Sequence, residues 1–141
     1  DTSDIINLNK FMINNDSEIG TLAANIEDNK MHDNKNLVKV ITQDNLTQKN
    51  FSLALNFTRK NLSKNYKNIY HHIGIYSYRV AALEKFINLS QTKNEKENRL
   101  EQLRALDNKM KINIVLAKSS PIGVDTEEDY LEIKKLMEYK S

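Results

Sequence analysis

The sequence predicts an α/β fold on three observations. Tyr70–Arg79, Tyr-His-His-Ile-Gly-Ile-Tyr-Ser-Tyr-Arg, has the aromatic and β-branched content of a strand held inside a sheet. Ile112–Leu116 is a continuous apolar run of the length expected for a strand buried on both faces. Around these lie stretches with helical apolar spacing, and strands interleaved with helices give a layered α/β architecture. The chain of 141 residues corresponds to one domain.

Taken in order, Asp1–Asn15 predicts a helix capped by Ser3 or Asp4, with Ile5, Leu8, Phe11 and Met12 on one side. Ile19–Ile26, with small residues in its middle, predicts a strand inside a sheet. Glu27–Asn36 is polar and aperiodic, a surface loop in which His32 is solvated. Leu37–Thr42 and Phe51–Phe57 alternate, and Gln43-Asp44-Asn45 supplies turn chemistry between them. In the second of these strands Phe51, Leu53, Leu55 and Phe57 share a face. Arg59–Lys67 is basic and Asn-rich: an exposed loop, or a cationic segment that meets an anionic substrate. Val80–Leu89 predicts a helix with Val80, Leu83, Phe86 and Ile87 inward. Ser90–Glu97 is a polar break, and Asn98–Leu106 a helix with Leu100, Leu103 and Leu106 inward. Thr126–Tyr139 predicts a last amphipathic helix packing through Tyr130, Ile133, Leu136 and Met137.

Composition narrows the function. Net charge is only +2, with lysines dispersed among Asp, Glu and Asn, which argues against a dedicated nucleic-acid or membrane patch. The chain has no cysteine, which excludes disulfides and thiolate metal sites and fits a reducing cytoplasm. No apolar run approaches the ~18 residues of a membrane span. The opening residues show no signal-peptide pattern and no initiator Met, as expected of a piece of a longer chain.

Three stretches can carry chemistry. In Tyr70–Arg79, alternation puts Tyr70, His72, Gly74, Tyr76 and Tyr78 on one face and Ile73 and Ile75 on the other, suited to a core. An imidazole and a phenol then flank a glycine, which inside a strand marks close approach by a ligand or another backbone; the alternative is that the rings simply pack. Ser119–Asp129 follows the carboxyl end of the last strand, where open α/β sheets bind ligands. There Thr126 and Asp129 form a capping box, and Asp125 either faces a ligand or is itself the cap. A lone carboxylate at a strand end suits Mg²⁺, which keeps most of its shell for water and phosphate oxygens. Glu101 and Gln102, between inward Leu100 and Leu103, form an acid–amide pair that can hydrogen-bond sugar hydroxyls or merely face solvent. Adjacent His71 and His72 point to opposite faces of a strand, which disfavours joint metal ligation.

The runs His72-Ile73-Gly74-Ile75-Tyr76-Ser77-Tyr78-Arg79, Leu100-Glu101-Gln102-Leu103-Arg104-Ala105-Leu106 and Gly123-Val124-Asp125-Thr126-Glu127-Glu128-Asp129 together resemble the 3-deoxy-manno-octulosonate cytidylyltransferases, or CMP-Kdo synthetases. Weaker similarity runs upstream through Thr21-Leu22-Ala23, Val38-Lys39-Val40 and Ala54–Arg59. The resemblance implies a Rossmann-like nucleotidyltransferase sheet with flanking helices. It implies Mg²⁺-dependent transfer of CMP from CTP to Kdo for lipopolysaccharide biosynthesis, in the cytoplasm. It makes Asp125 a catalytic metal ligand, and His72, Tyr76, Glu101 and Gln102 the Kdo-contacting set. It also implies a homodimer, with residues 37–57 as a β excursion at the interface. Only the carboxyl-terminal portion of the family pattern is present, without the glycine-, arginine- and lysine-bearing loop that grips CTP, so the chain is expected to be inactive alone. After Arg59, where the family carries a proline and an arginine, stand Ser63, Lys64 and Lys67, leaving Arg59 and Lys64 as the cations for an acidic substrate. A synthetase for another 2-keto acid sugar such as a sialic acid, and a non-catalytic assembly module, remain the alternatives.

Overall fold

The computed structural model describes residues 2–26, 34–62, 67–118 and 127–139. In chain order these form helix α1 (Thr2–Asn14), strands β1 (Ile19–Ala24), β2 (Lys39–Thr42), β3 (Ser52–Thr58) and β4 (Ile69–Tyr78), helices α2 (Val80–Ile87), α3 (Lys93–Asn98) and α4 (Gln102–Asp107), strand β5 (Ile112–Leu116) and helix α5 (Glu127–Glu138). Among the described residues no helix is long and apolar enough to cross a membrane.

The α/β class is as expected, but the sheet is mixed. Its strands run β1-β4-β2-β3-β5, and β5 returns to lie parallel to β1, closing the ring; the other pairings are antiparallel. The closing seam between β3 and β5 is short, Ser52 opposite Ile114 and Leu53 opposite Asn113. Residues 37–57 therefore do not stand apart as an excursion: they supply β2 and β3 of the same sheet.

Period-2 alternation along β1 divides the core. Ile19 and Ala23 join Val40, Phe57, Leu103, Ile112 and Ile114 on one face, while Leu22 and Ala24 join Leu8 and Met12 of α1, Ile73 and Val115 on the other. Gly20 lies under α1, where an added Cβ would stand 2.6 Å from Met12 Sδ and 2.9 Å from Leu8 Cδ1. The small residues of this strand are thus what let the helix approach. Leu8 and Met12 point inward as expected, but Ile5 is exposed. Asp4 is buried rather than capping, its Oδ1 accepting from the Lys118 N–H at 3.1 Å and tying α1 to the end of β5.

Three further expectations fail for local reasons. In β3 the pairing skips Leu55, since Ile41 opposes Asn56 and Thr42 opposes Ala54. The bulge ends the alternation, so Leu55 is 58 % exposed while Phe57 is buried. In α2 the inward residues are Ala82 and Phe86, with Leu89 packed beside them, whereas Val80, Leu83 and Ile87 are exposed. Ala82, Phe86 and Leu89 form an equally good i, i+4, i+7 stripe. Phe86 stacks near Tyr78, with ring centroids 6.0 Å apart, which sets the helix rotation. In α5, Tyr130 and Met137 are exposed rather than packed. The polar stretch before α4 holds a helix, α3, started by a capping box between Thr92 and Glu95. Arg99, in the left-handed region at φ 53°, separates it from α4.

Tyr70 shows the purely structural use of a tyrosine. Its buried hydroxyl accepts from the Leu46 N–H at 2.8 Å and donates to Asn45 Oδ1 at 2.8 Å, pinning the β2–β3 connection to β4. Tyr70→Phe leaves a buried N–H without an acceptor. It is expected to cost about 1–3 kcal/mol in chemical unfolding, and a loss below the measurement error would show that the loop re-pairs with water.

Candidate functional site

The site is built on an irregularity in β4. Leu22 of β1 opposes Ile73, but Thr21 opposes Tyr76, so Gly74 and Ile75 are extra residues with no partners on β1. His72 and Tyr76 consequently sit opposite Ala23 and Thr21, near neighbours on β1. Their ring centroids come to 5.5 Å, a separation that four residues of unbroken strand, at ~3.3 Å each, would not allow. Gly74 needs no close-approach explanation, because nothing lies within 4 Å of where its Cβ would be. Ile75, expected in the core, is lifted out with it and is 41 % exposed; Ile73 alone keeps its core position.

The rings continue on both sides. Phe57 meets His72 edge-on at 5.0 Å, and beyond Tyr76 come Tyr78 at 5.9 Å and then Phe86. Arg104 closes the row, its guanidinium 4.8 Å above the Phe86 ring. Arg104 is itself held by Glu95 through bonds of 2.6 and 2.9 Å, and those bonds keep the Glu95 carboxyl below the usual carboxylate range.

The electrostatics of the row are those of neutral groups. Burial, with a smaller contribution from His71, pulls the His72 pKa from 6.5 down to about 4. His71 is lowered as well, by burial and then by the charge of Lys39, a fully buried lysine whose Nζ donates to the Asn34 carbonyl at 3.1 Å. Tyr76 is pushed up, by burial first and then by Tyr78 and Glu101, so its phenol stays protonated; Tyr78 is raised too, by burial and by Glu101.

Glu101 thus acts on both phenols through its charge. As expected, Leu100 and Leu103 are buried, leaving the Glu101 side chain 70 % exposed, 3.4 Å from Arg104, and Gln102 half-buried. The structure thus brings His72 and Tyr76 together, while Glu101 and Gln102 stand at the start of α4, the helix whose Arg104 closes the ring row. Arg59 is exposed and its Nη1 donates to the carbonyls of Asn98 and Arg99 at 3.3 and 3.2 Å, a cation at a helix carboxyl end. Lys64, Asp125 and the Thr126 cap lie outside the described residues, as does the side chain of Asp129 and the loop carrying His32. Among the described residues no group of three or more His, Asp or Glu side chains converges as a metal site. Sequence reasoning missed Thr21, whose hydroxyl lies 3.0 Å from His72 Nε2; nothing in a run of small strand residues singles it out. It missed the Thr92–Glu95 capping box too, although Thr-x-x-Glu is written in the sequence.

A family model described as cytidylyltransferase matches residues 3–112, and the chain belongs to that family. More particularly, it is 38 % identical over 133 residues to 3-deoxy-manno-octulosonate cytidylyltransferase of Bartonella bacilliformis, covering 94 % of this chain and 54 % of that protein. The protein of the same name from Agrobacterium fabrum is 41 % identical over 120 residues, covering 85 % and 47 %. A solved structure of CMP:2-keto-3-deoxy-manno-octonic acid synthetase complexed with CTP superimposes with a TM-score of 0.82 at 25 % identity, over 99 % of this chain and 57 % of that one. The chain spans about half the length of the curated relatives it matches.

The buried histidines set a pH dependence. The unfolded chain takes up the His72 proton near pH 6.5, the folded chain only near pH 4. The unfolded state therefore binds more protons between those values, and stability falls as pH drops through them. For His72 the loss is about 3 kcal/mol over the window, and His71 acts in the same direction. Urea melts from pH 7 to pH 4.5 should show this slope, and His72→Gln should remove most of its part. An unchanged slope in His72→Gln would mean that the folded chain titrates His72 normally.

Proposed function

We propose that the chain carries the sugar-binding side of an enzyme that transfers CMP from CTP to Kdo, for lipopolysaccharide biosynthesis in the cytoplasm. The observation that supports it most is the bulged strand, which places a neutral imidazole and a protonated phenol side by side, with the exposed Glu101 carboxylate at the start of α4. Such a set offers both donors and acceptors to neighbouring hydroxyls of one polyol. In this reading Tyr76 donates, His72 and Glu101 accept, and Gln102 does either. Arg59 and Lys64 are the cations assigned to the acidic end of the sugar. The anomeric hydroxyl oxygen of Kdo bonds to the α-phosphorus of CTP as the α–β phosphoanhydride bond breaks. Pyrophosphate leaves and the hydroxyl proton passes to solvent. The names of the relatives and the CTP complex of the structural neighbour support these substrates.

Mg²⁺ belongs to the proposal through Asp125, and when bound it would neutralise phosphate charge. The described residues include no carboxylate cluster to hold it, and none of the roles above runs through it. The decisive experiment supplies the complete gene product with CTP and Mg²⁺, and with either Kdo or a sialic acid. CMP-Kdo formation is expected; turnover of the sialic acid alone, or no sugar binding, overturns the assignment. Tyr76→Phe removes one donor, and is expected to raise the Kdo KM about tenfold at unchanged CTP affinity and stability. A selective loss of CTP affinity would move Tyr76 to the nucleotide.

The homodimer is the second part of the proposal. Bulged Leu55 projects from β3 beside Ile41 and Leu62, along a groove of about 730 Å³. Exposed Leu55 in this mixed polar and apolar groove supports residues 37–57 as the contact between two copies. Leu55→Glu is expected to shift the protein to monomer in sedimentation velocity at unchanged melting temperature, and a dimer that survives would place the interface elsewhere.

A further inference from the structure

Thr21 is fully buried in the middle of β1, and its hydroxyl oxygen has three polar neighbours. They are the Ile75 carbonyl at 2.7 Å, the Ile73 carbonyl at 3.1 Å and His72 Nε2 at 3.0 Å. A hydroxyl has one proton, and carbonyls only accept. Were that proton given to His72, both bulge carbonyls would face hydroxyl lone pairs at hydrogen-bond distance with nothing between them. One arrangement satisfies all three contacts. The Thr21 proton goes to the bulge carbonyls, nearest to that of Ile75, and His72 donates an Nε2–H to Oγ1. The neutral ring then carries a lone pair on Nδ1, which has no hydrogen-bond partner among the described residues.

We propose that Thr21 is a positioning residue that locks His72 as its Nε2–H tautomer and so presents Nδ1 as a fixed hydrogen-bond acceptor to a hydroxyl of the bound sugar. The acceptor role rests on the sugar-binding reading above; the tautomer lock does not. A fixed acceptor favours a ligand O–H and repels a carboxylate or phosphate oxygen. At this point of the site, then, the sugar turns a hydroxyl toward the strand and its acidic group away. The same hydroxyl proton holds the bulge carbonyls, so the feature that brings His72 to Tyr76 also sets its protonation pattern.

The test is nitrogen NMR of the histidine-labelled protein at pH 7. His72 is expected to show a protonated Nε2 and an unprotonated Nδ1. Thr21→Val, close in shape but without the hydroxyl, is expected to give a tautomer mixture, and Thr21→Ser to restore the single form. A wild-type Nδ1–H form overturns the proposal, as does a folded Thr21→Val protein with an unchanged tautomer. Should Thr21→Val fail to fold, the wild-type and Thr21→Ser spectra decide. In the complete gene product, Kdo is expected to shift the Nδ1 resonance. Thr21→Val should raise the Kdo KM about tenfold, one lost hydrogen bond, with kcat within about twofold. Kdo binding that leaves Nδ1 unmoved overturns the acceptor role. A locked tautomer without any Kdo binding keeps the Thr21–His72 pairing and overturns the sugar-binding reading instead.

Discussion

The arrangement of this molecule depends on three residue steps of β4 being fitted against one step of β1, from Ile73 opposite Leu22 to Tyr76 opposite Thr21. In a regular strand, His72 and Tyr76 would stand about 13 Å apart along the backbone; with two residues bulged out, their rings are neighbours. A bulge breaks ladder pairing locally, and an unpaired carbonyl inside a protein is costly. Here the carbonyls of Ile73 and Ile75 both lie within hydrogen-bond distance of the Thr21 hydroxyl, which shares its one proton between them. The irregularity is therefore supported from the neighbouring strand.

From that point the rings form a continuous line, and its far end explains helices α3 and α4. Glu95 closes the capping box of α3, receives the fork of Arg104 from α4, and so fixes the guanidinium plane over Phe86. A buried ion pair contributes little net stability against well-packed apolar residues, while loss of one partner costs about 3–5 kcal/mol. Its value here lies in orientation. It holds α4 in one position, with Glu101 3.4 Å from Arg104 at its start, and the Glu101 charge helps to raise both the Tyr76 and Tyr78 phenols. Arg79, directly after β4, does corresponding work toward α1, its Nε donating to the Ser17 carbonyl at 3.0 Å and its guanidinium meeting Asp16.

What the sequence made legible follows the same lines. Element types were readable where the apolar pattern was long or unbroken: Tyr70–Arg79, Ile112–Leu116, and the leucines flanking Glu101 and Gln102. Alternation misled wherever a bulge intervened, because it assumes that each residue has one partner across the ladder. Leu55 and Ile75 are exposed for that reason. In α2 two stripes of equal quality were present, and only the Tyr78–Phe86 contact chooses between them. Lys39, fully buried opposite His71, carries no sign in its residue type that it would be interior. At the site, His72 and Tyr76 were picked out as rings flanking Gly74, and Glu101 and Gln102 as an acid–amide pair, to which the resemblance added the expectation of sugar contact. Thr21 was not, since its role exists only once the strands are paired and the protons counted.

Electrostatics decide what the ring row can recognise. His72 is neutral at pH 7, Tyr76 keeps its proton, and Glu101 is the charged member beside them. The described guanidiniums nearby are already engaged: Arg104 with Glu95, Arg79 with Asp16, and Arg59 through Nη1 with the carboxyl end of α3. A surface of neutral donors and acceptors with one carboxylate distinguishes patterns of hydroxyl groups; it gives an anion no compensation for its lost hydration. An acidic sugar held here must direct its hydroxyls to β4 and α4, and take its counter-charge from cations outside the row. On the proposed reading, recognition of the sugar's shape and neutralisation of its charge fall to separate segments. The described residues thus form an ordered shelf of neutral rings with a carboxylate at its edge, suited to hydroxyl groups more than to an anion.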